Sequence, residues 1–225
     1  MVLTLLSFLD KNNRLWVLVI LVAVFVFIHT IVSVFRDQNI VRRLGKRYDE
    51  IQRNAVQIIA SLGDLSGNHF DLWMVDLYLP SRRWYFMWKI PFIGYKRKLS
   101  RQLAVSLVDV STAQPSYDLK NSPHGQCFTS AKSRNWYNKE YRGNLDIGTW
   151  GSLDETGNSE LASNYGILSL SPIVDQLGRN CAGVLVVHVK PQEDKILRAI
   201  GVLQSSRGKR LLHNACITLH GLLMK

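Results

Sequence analysis

The sequence predicts a mixed α+β fold built on an antiparallel sheet flanked by helices, preceded by a single transmembrane helix and a heptad-patterned linker helix. Three observations carry this. Leu15 to Phe35 contains no charged residue, and apolar residues from Leu44 to Leu62 recur at alternating spacings of four and three. Beyond them, several short apolar and aromatic segments are separated by polar turns and followed by amphipathic stretches. The expected divisions are residues 1–14, a short leading segment; 15–35, the span; 36–62, the linker helix, a candidate coiled coil; and 63–225, the globular domain.

At about 1.5 Å per residue, Leu15 to Phe35 covers roughly 30 Å, the thickness of a hydrocarbon core. A helix is required there, because in lipid each backbone N–H and C=O must be paired within its own segment. A cleaved signal peptide is the rival, but its apolar region is shorter, about 7–15 residues, and HTIVSVFRDQ has no convincing small-residue cleavage site. Arg36, Arg42, Arg43, Lys46, Arg47 and Arg53 follow the span, whereas only Lys11 and Arg14 precede it. Basic residues favour the cytoplasmic side, so the expected topology is single-pass with the N-terminus outside and the domain cytoplasmic. His29 inside the span is read as a tolerated neutral residue, the alternative being a proton or ion route. Three scattered cysteines give no disulfide framework, in keeping with a reducing cytosol. The formal charge of +11 suits a partner bearing negative charge, and the anchor makes anionic lipid the simpler choice over nucleic acid.

After the span, the spacing predicts a helix whose seam holds Leu44, Tyr48, Ile51, Ala55, Ile58 and Leu62. Apolar a and d positions favour pairing with a second copy, and the alternative is an amphipathic helix packing on its own domain. Gly45 costs a helix up to about 1 kcal/mol relative to Ala, which makes it a candidate flexible point. Gly63 to Asn68 (GDLSGN) is turn chemistry. His69 to Leu79, Leu103 to Val110, Tyr165 to Ile173 and Cys181 to Val189 each read as strands with a buried face. The turn Asp175 to Asn180 joins the last two as a hairpin. Helices are predicted over Pro123 to Lys132, Gln192 to Leu203 and Lys209 to Leu223.

This order of elements resembles that of GAF domains. YGILSLSPIVDQLGRNCAGVLVVHV is similar to the family's final hairpin, and HGQCFTSAKSRNWYN to its central helix and following segment, the likeness covering roughly Leu62 to Leu203. It implies a six-stranded antiparallel sheet with helices on one side, a small-molecule pocket on the other, and dimerisation through flanking helices. The cyclic-nucleotide branch carries an Asn-Lys, Phe, Asp-Glu signature; here Asn138 and Lys139 are followed by Asp154 and Glu155 with no Phe, so cyclic nucleotide binding is not supported. Bilin-binding relatives use a Cys near a His, but Cys127 near His124 lacks specific surroundings and reads as a buried helix cysteine. On this resemblance the ligand is expected among Trp136, Tyr137, Tyr141, Asp146 and Trp150, which offer stacking faces and polar groups; core packing is the alternative for each.

Arg82 to Arg101 interleaves seven Lys or Arg with six aromatic residues and contains no acid. Arg82, Arg83, Trp84, Trp88, Lys89, Lys96, Arg97 and Lys98 are expected at a membrane surface, where rings settle among headgroups and bases meet anionic lipid. Single-stranded nucleic acid and an extended strand pair with partly buried rings are the alternatives. His213, Cys216 and His220 fall on one helical face, yet apolar neighbours favour packing, and no metal or other cofactor is assigned. The chain has no Gly-rich phosphate loop, HExxH or GxSxG, so no enzyme is expected. The leading expectation is a membrane-tethered small-molecule sensor signalling through a dimeric linker helix to a partner or through the anchor. The alternatives are a ligand-gated, membrane-disrupting effector and a GAF-fold methionine sulfoxide reductase acting through Cys127 and Cys181.

Overall fold

The computed structural model describes residues 11–86, 93–106, 115–120, 122–138, 150–153, 165–190 and 193–224. Two compact units emerge, Met1–Asn39 and Ile40–Lys225. Helix α1 spans Lys11–Lys46. From Trp16 onward it is long and apolar enough, by length and composition, to cross a membrane, with a mean hydropathy of 3.0 over its most apolar window. None of that window is buried within the chain; Phe25 is 71% exposed. The hydroxyl of Thr30 donates to the carbonyl of Val26 at 2.7 Å, so this polar group is satisfied within the helix.

In the second unit the expected single linker helix is two helices. The first runs through Gly45 and ends at Lys46; α2 spans Tyr48–Leu65, with Arg47 between them at φ −121°, ψ 24°. The heptad residues Leu44, Ile51, Ala55, Ile58 and Leu62 are all buried in the chain's own core, and Tyr48 is 41% exposed. Of the two readings of that spacing, the amphipathic helix packing on its own domain is the one observed, and the positions expected to form a dimer seam, Leu44, Ile51 and Ile58, are already covered. Periodicity reports which face is apolar; what covers it is decided by the rest of the chain.

The turn after α2 ends in Gly67 and Asn68, both at positive φ. Ser66 accepts a buried hydrogen bond from Trp73 Nε1 at 3.1 Å, tying this turn to the first strand. Gly63 lies under the Phe70 ring, where an added Cβ would stand 2.1 Å from a ring carbon. A 3-10 turn, Phe70–Leu72, leads into β1 (Trp73–Phe86) and β2 (Ile93–Ser106). These are followed by β3 (Ser116–Asp118), α3 (Pro123–Ser130), β4 (Arg134–Tyr137) and β5 (Gly151–Ser152). The chain then forms β6 (Ile167–Ile173), β7 (Gly183–Val189), α4 (Glu193–Gln204) and α5 (Ser206–Met224).

The strands form one sheet in the order β3-β2-β1-β7-β6-β4-β5. Among the described residues it has seven strands where the resemblance implied six, and β4–β5 pair in parallel among otherwise antiparallel neighbours. The predicted hairpin is β6–β7, in register from Ile167 opposite Val189 to Ile173 opposite Gly183. Its turn closes because the Asp175 carboxylate accepts from the backbone N–H groups of Leu177 and Arg179, at 3.1 and 2.7 Å.

Alternation along the strands sorts residues onto two faces. On one, Trp73, Val75, Leu77 and Leu79 of β1 and Leu185, Val187 and Val189 of β7 pack with α2, α4 and α5 in the larger apolar cluster. On the other, Tyr78, Leu168, Leu170, Val184 and Val186 pack with Cys127 and Phe128 of α3 in a smaller one. The second face also carries the buried charge.

Candidate functional site

Register fixes the layout of that second face. A bulge between Leu77 and Tyr78 slips the β1–β2 pairing, so that Leu77 still faces Leu103 but Tyr78 faces Arg101. On the other side of β1, Asp76 lies opposite Val186 and Met74 opposite His188. The two-residue period therefore gathers Asp76, Tyr78, Arg101 and His188 on one side of the sheet, interrupting otherwise apolar strands. All four are buried.

The charges stand together. Asp76 Oδ2 lies 3.5 Å from a guanidinium nitrogen of Arg101 and 3.2 Å from Nε2 of His188. These are ion-pair distances, but the angles do not complete a hydrogen bond to this carboxylate oxygen or to the imidazole nitrogens of His188. Tyr165 closes edge-on over His188, ring centres 4.8 Å apart at 85°.

Helix α3 brings the fifth polar residue. Its start is set by Ser122, whose hydroxyl accepts from the N–H of Gly125 at 3.0 Å, with Pro123 at the first helical position. Gly125 allows close approach to the end of β3: a Cβ there would meet the backbone of Leu119 at 2.4 Å. This placement lays the His124 ring flat on Tyr117, centres 4.0 Å apart and 6° from parallel, and 4.7 Å from the ring of Tyr78. Burial, with a smaller contribution from His188, pushes the His124 pKa down to about 3. The ring is therefore neutral at physiological pH. Burial, then the Asp76 carboxylate, holds the Tyr78 phenol far above its ordinary value, so it keeps its proton.

Five buried atoms here have no hydrogen-bond partner among the described residues: Asp76 Oδ2, Tyr78 Oη, His124 Nδ1 and both nitrogens of His188. Each unpaired buried polar group costs about 1–3 kcal/mol, and folded proteins keep few of them. Two of the five, Asp76 Oδ2 and His188 Nε2, face one another at 3.2 Å, which leaves Tyr78 Oη, His124 Nδ1 and His188 Nδ1 without a hydrogen-bond partner among the described residues. Asp76 offers an acceptor, Tyr78 a phenolic donor and the neutral His124 ring a nitrogen of either function, while Arg101 lies beside the Asp76 carboxylate.

The expected ligand residues are divided by the sheet. Trp136 packs in the smaller cluster beside this site, whereas Tyr137 lies in the larger cluster under the helices and Trp150 packs against that cluster. Tyr141 and Asp146 lie outside the described residues. Of the basic aromatic segment, Arg82, Arg83 and Trp84 fall in β1 and Lys96, Arg97 and Lys98 in β2; Trp88 and Lys89 lie outside the described residues. Arg101, the last base of that run, is drawn into the buried pair with Asp76.

Cys127 is fully buried, and that burial pushes its thiol well above the ordinary range. Cys181 donates to the carbonyl of Gly183 at 3.1 Å. On α5, Cys216 is buried in the core, His213 is exposed and His220 is half-buried. Among the described residues no three His, Cys, Asp or Glu stand together as metal ligands would.

Asp76, Tyr78, Arg101, His124 and His188 escaped the sequence reading, although a signal existed. Asp76 sits inside HFDLWMVDLYL and His188 inside CAGVLVVHV, each a titratable residue within an apolar strand. No family model matches the chain, and no curated protein matches it. Among solved structures the chain is similar to the GAF domain of an Acinetobacter phosphoenolpyruvate-protein phosphotransferase, with a TM-score of 0.43 and 15% identity over 83% of this chain and 92% of that one.

Proposed function

We propose that Ile40–Lys225 is a regulatory module that binds a small polar molecule at Asp76, Tyr78, Arg101, His124 and His188, and that the helix from Trp16 tethers it to a membrane with the module on the cytoplasmic side. The observation that carries the ligand reading is the cluster on one sheet face of Tyr78 Oη, His124 Nδ1 and His188 Nδ1, buried without a hydrogen-bond partner among the described residues, beside the Asp76–Arg101–His188 contacts. The face opposite α2, α4 and α5 has rings to stack on and polar atoms to pair, which is the composition of a small-molecule site.

The ligand is a compact molecule with both donors and acceptors and little net charge, because Asp76 and Arg101 offset one another and His124 stays neutral. Binding regulates only by the difference in affinity between two arrangements of the module. A tenfold preference corresponds to about 1.4 kcal/mol. The buried, high-pKa Cys127 has no stabilised thiolate, which weighs against sulfoxide reduction. The tether reading rests on the uncovered apolar length of α1, whose side chains need a nonaqueous neighbour.

Native mass spectrometry of the full chain released from detergent micelles tests the ligand reading. The wild-type chain is expected to retain a small molecule that the Tyr78→Phe, His124→Phe double variant loses. The same bound mass increment on both proteins, or none on either, would end it. The tether is read separately, by recovery of the uncut chain from membranes only with detergent.

A further inference from the structure

A second cleft shares no residue with the polar sheet face. Three parts of the module line it: Arg47 at the break between α1 and α2, the β6–β7 turn, and the last turns of α5. Its volume is about 650 Å³, within the roughly 300–1,000 Å³ of small-molecule sites. Leu177, Ile217 and Leu222 supply apolar walls. Leu177, in the turn, is 73% exposed, more than any other large apolar side chain described in Ile40–Lys225. Gly221 leaves the floor open: an added Cβ would meet nothing within 4 Å. Packing within the chain therefore does not ask for glycine here, although glycine costs a helix about 1 kcal/mol relative to Ala.

Opposite charges line the same space. Arg47 is half-buried, and its guanidinium has no acceptor among the described residues. Asp175 uses Oδ1 to accept from the N–H groups of Leu177 and Arg179, at 3.1 and 2.7 Å, which leaves Oδ2 open among the described residues. The two side chains do not pair with each other. A simple anion entering the cleft would meet Asp175 and a simple cation Arg47, each a repulsive juxtaposition. A molecule carrying both charges meets neither penalty.

We propose that this cleft binds a small zwitterion with an apolar body, the chemistry shared by free aliphatic amino acids and short apolar peptides. The guanidinium of Arg47 takes the carboxylate, Oδ2 of Asp175 accepts from the ammonium, and the apolar body lies along Leu177, Ile217 and Leu222. The proposal stands independently of the sheet-face ligand.

Equilibrium dialysis of radiolabelled leucine and trileucine against the full chain in phosphatidylcholine nanodiscs, corrected for uptake by empty discs, tests it. Saturable binding of one or both is expected with a Kd below about 1 mM, and the tighter of the two names the source. Removing the amino group of that ligand, or amidating its carboxylate, should weaken binding at least about tenfold. Gly221→Leu fills the cleft with a better helix former, so it should keep the fold and abolish binding. Asp175→Asn keeps an oxygen to close the turn and should erase only the preference for the amino group. No saturable binding of either ligand, or equal binding of the deaminated analogue by wild type, overturns the proposal. Binding that survives Gly221→Leu and is lost in the Tyr78→Phe, His124→Phe double variant also overturns it, and places the ligand on the sheet face instead.

Discussion

The two faces of the sheet are built from the same strands and differ in what they leave unfinished. Under α2, α4 and α5, β1 presents Trp73, Val75, Leu77 and Leu79, all buried and apolar apart from the Trp73 indole N–H, which reaches Ser66. One residue out of step, the same strand presents Asp76 and Tyr78, buried beside Arg101, His188 and His124, where Tyr78 Oη, His124 Nδ1 and His188 Nδ1 have no hydrogen-bond partner among the described residues. The first face packs apolar side chains under α2, α4 and α5, so truncation there costs stability. The second carries buried polar atoms, and each one left without a partner costs stability. The apolar and the polar face are thus separated by the two-residue period of a strand.

The contrast is broken most directly on the apolar face. Ile51 of α2 is fully buried, so Ile51→Ala is expected to lower unfolding stability by about 2–5 kcal/mol through lost burial and the cavity left behind. Denaturant titration of the full chain in detergent measures it. A loss below about 1 kcal/mol would mean that α2 is not an integral part of the domain core, and would reopen the heptad seam as an interface with a second copy.

The next effect belongs to the other face and depends on pH. His124 has an ordinary value of 6.5 in the unfolded chain and about 3 when folded, where His188, Tyr78 and Tyr117 surround it. The folded value is depressed, so between these limits the unfolded chain binds the extra proton. The His124 contribution is then fully present above 6.5 and is lost as pH falls toward 3. From pH 7 to 5 the loss is about 2 kcal/mol for this group. His124→Phe should flatten that slope relative to wild type. An unchanged slope would assign acid sensitivity to other groups.

What the sequence disclosed follows the same division. The hairpin β6–β7 was legible because its turn chemistry and apolar runs are local, and α3, α4 and α5 because caps and spacing are local too. The fate of Leu44, Ile51 and Ile58 was not, since a heptad stripe looks alike whether β1 and β2 cover it or a second chain does. The polar face was illegible for a further reason. Asp76 meets Arg101 only because a bulge after Leu77 slips the β1–β2 register by one residue, and nothing in either strand announces that slip. Trp136 and Tyr137, adjacent in sequence and similar in chemistry, fell on opposite faces by parity alone.

The smallest effect is the sharpest, because its sign opposes the first. Tyr78 is fully buried and its hydroxyl has no hydrogen-bond partner among the described residues, while its ring packs near Tyr117 and His124. Tyr78→Phe keeps the ring and removes one unsatisfied oxygen, so the ligand-free protein should gain about 1 kcal/mol. The same change removes a donor from the proposed site, so ligand should stabilise the variant less than it stabilises wild type. Thermal unfolding of both proteins, with and without the small molecule identified by mass spectrometry, reads the two effects together. Destabilisation of the free protein would show that the hydroxyl already has a partner, and the face on which it lies would then be as complete as the one beneath the helices.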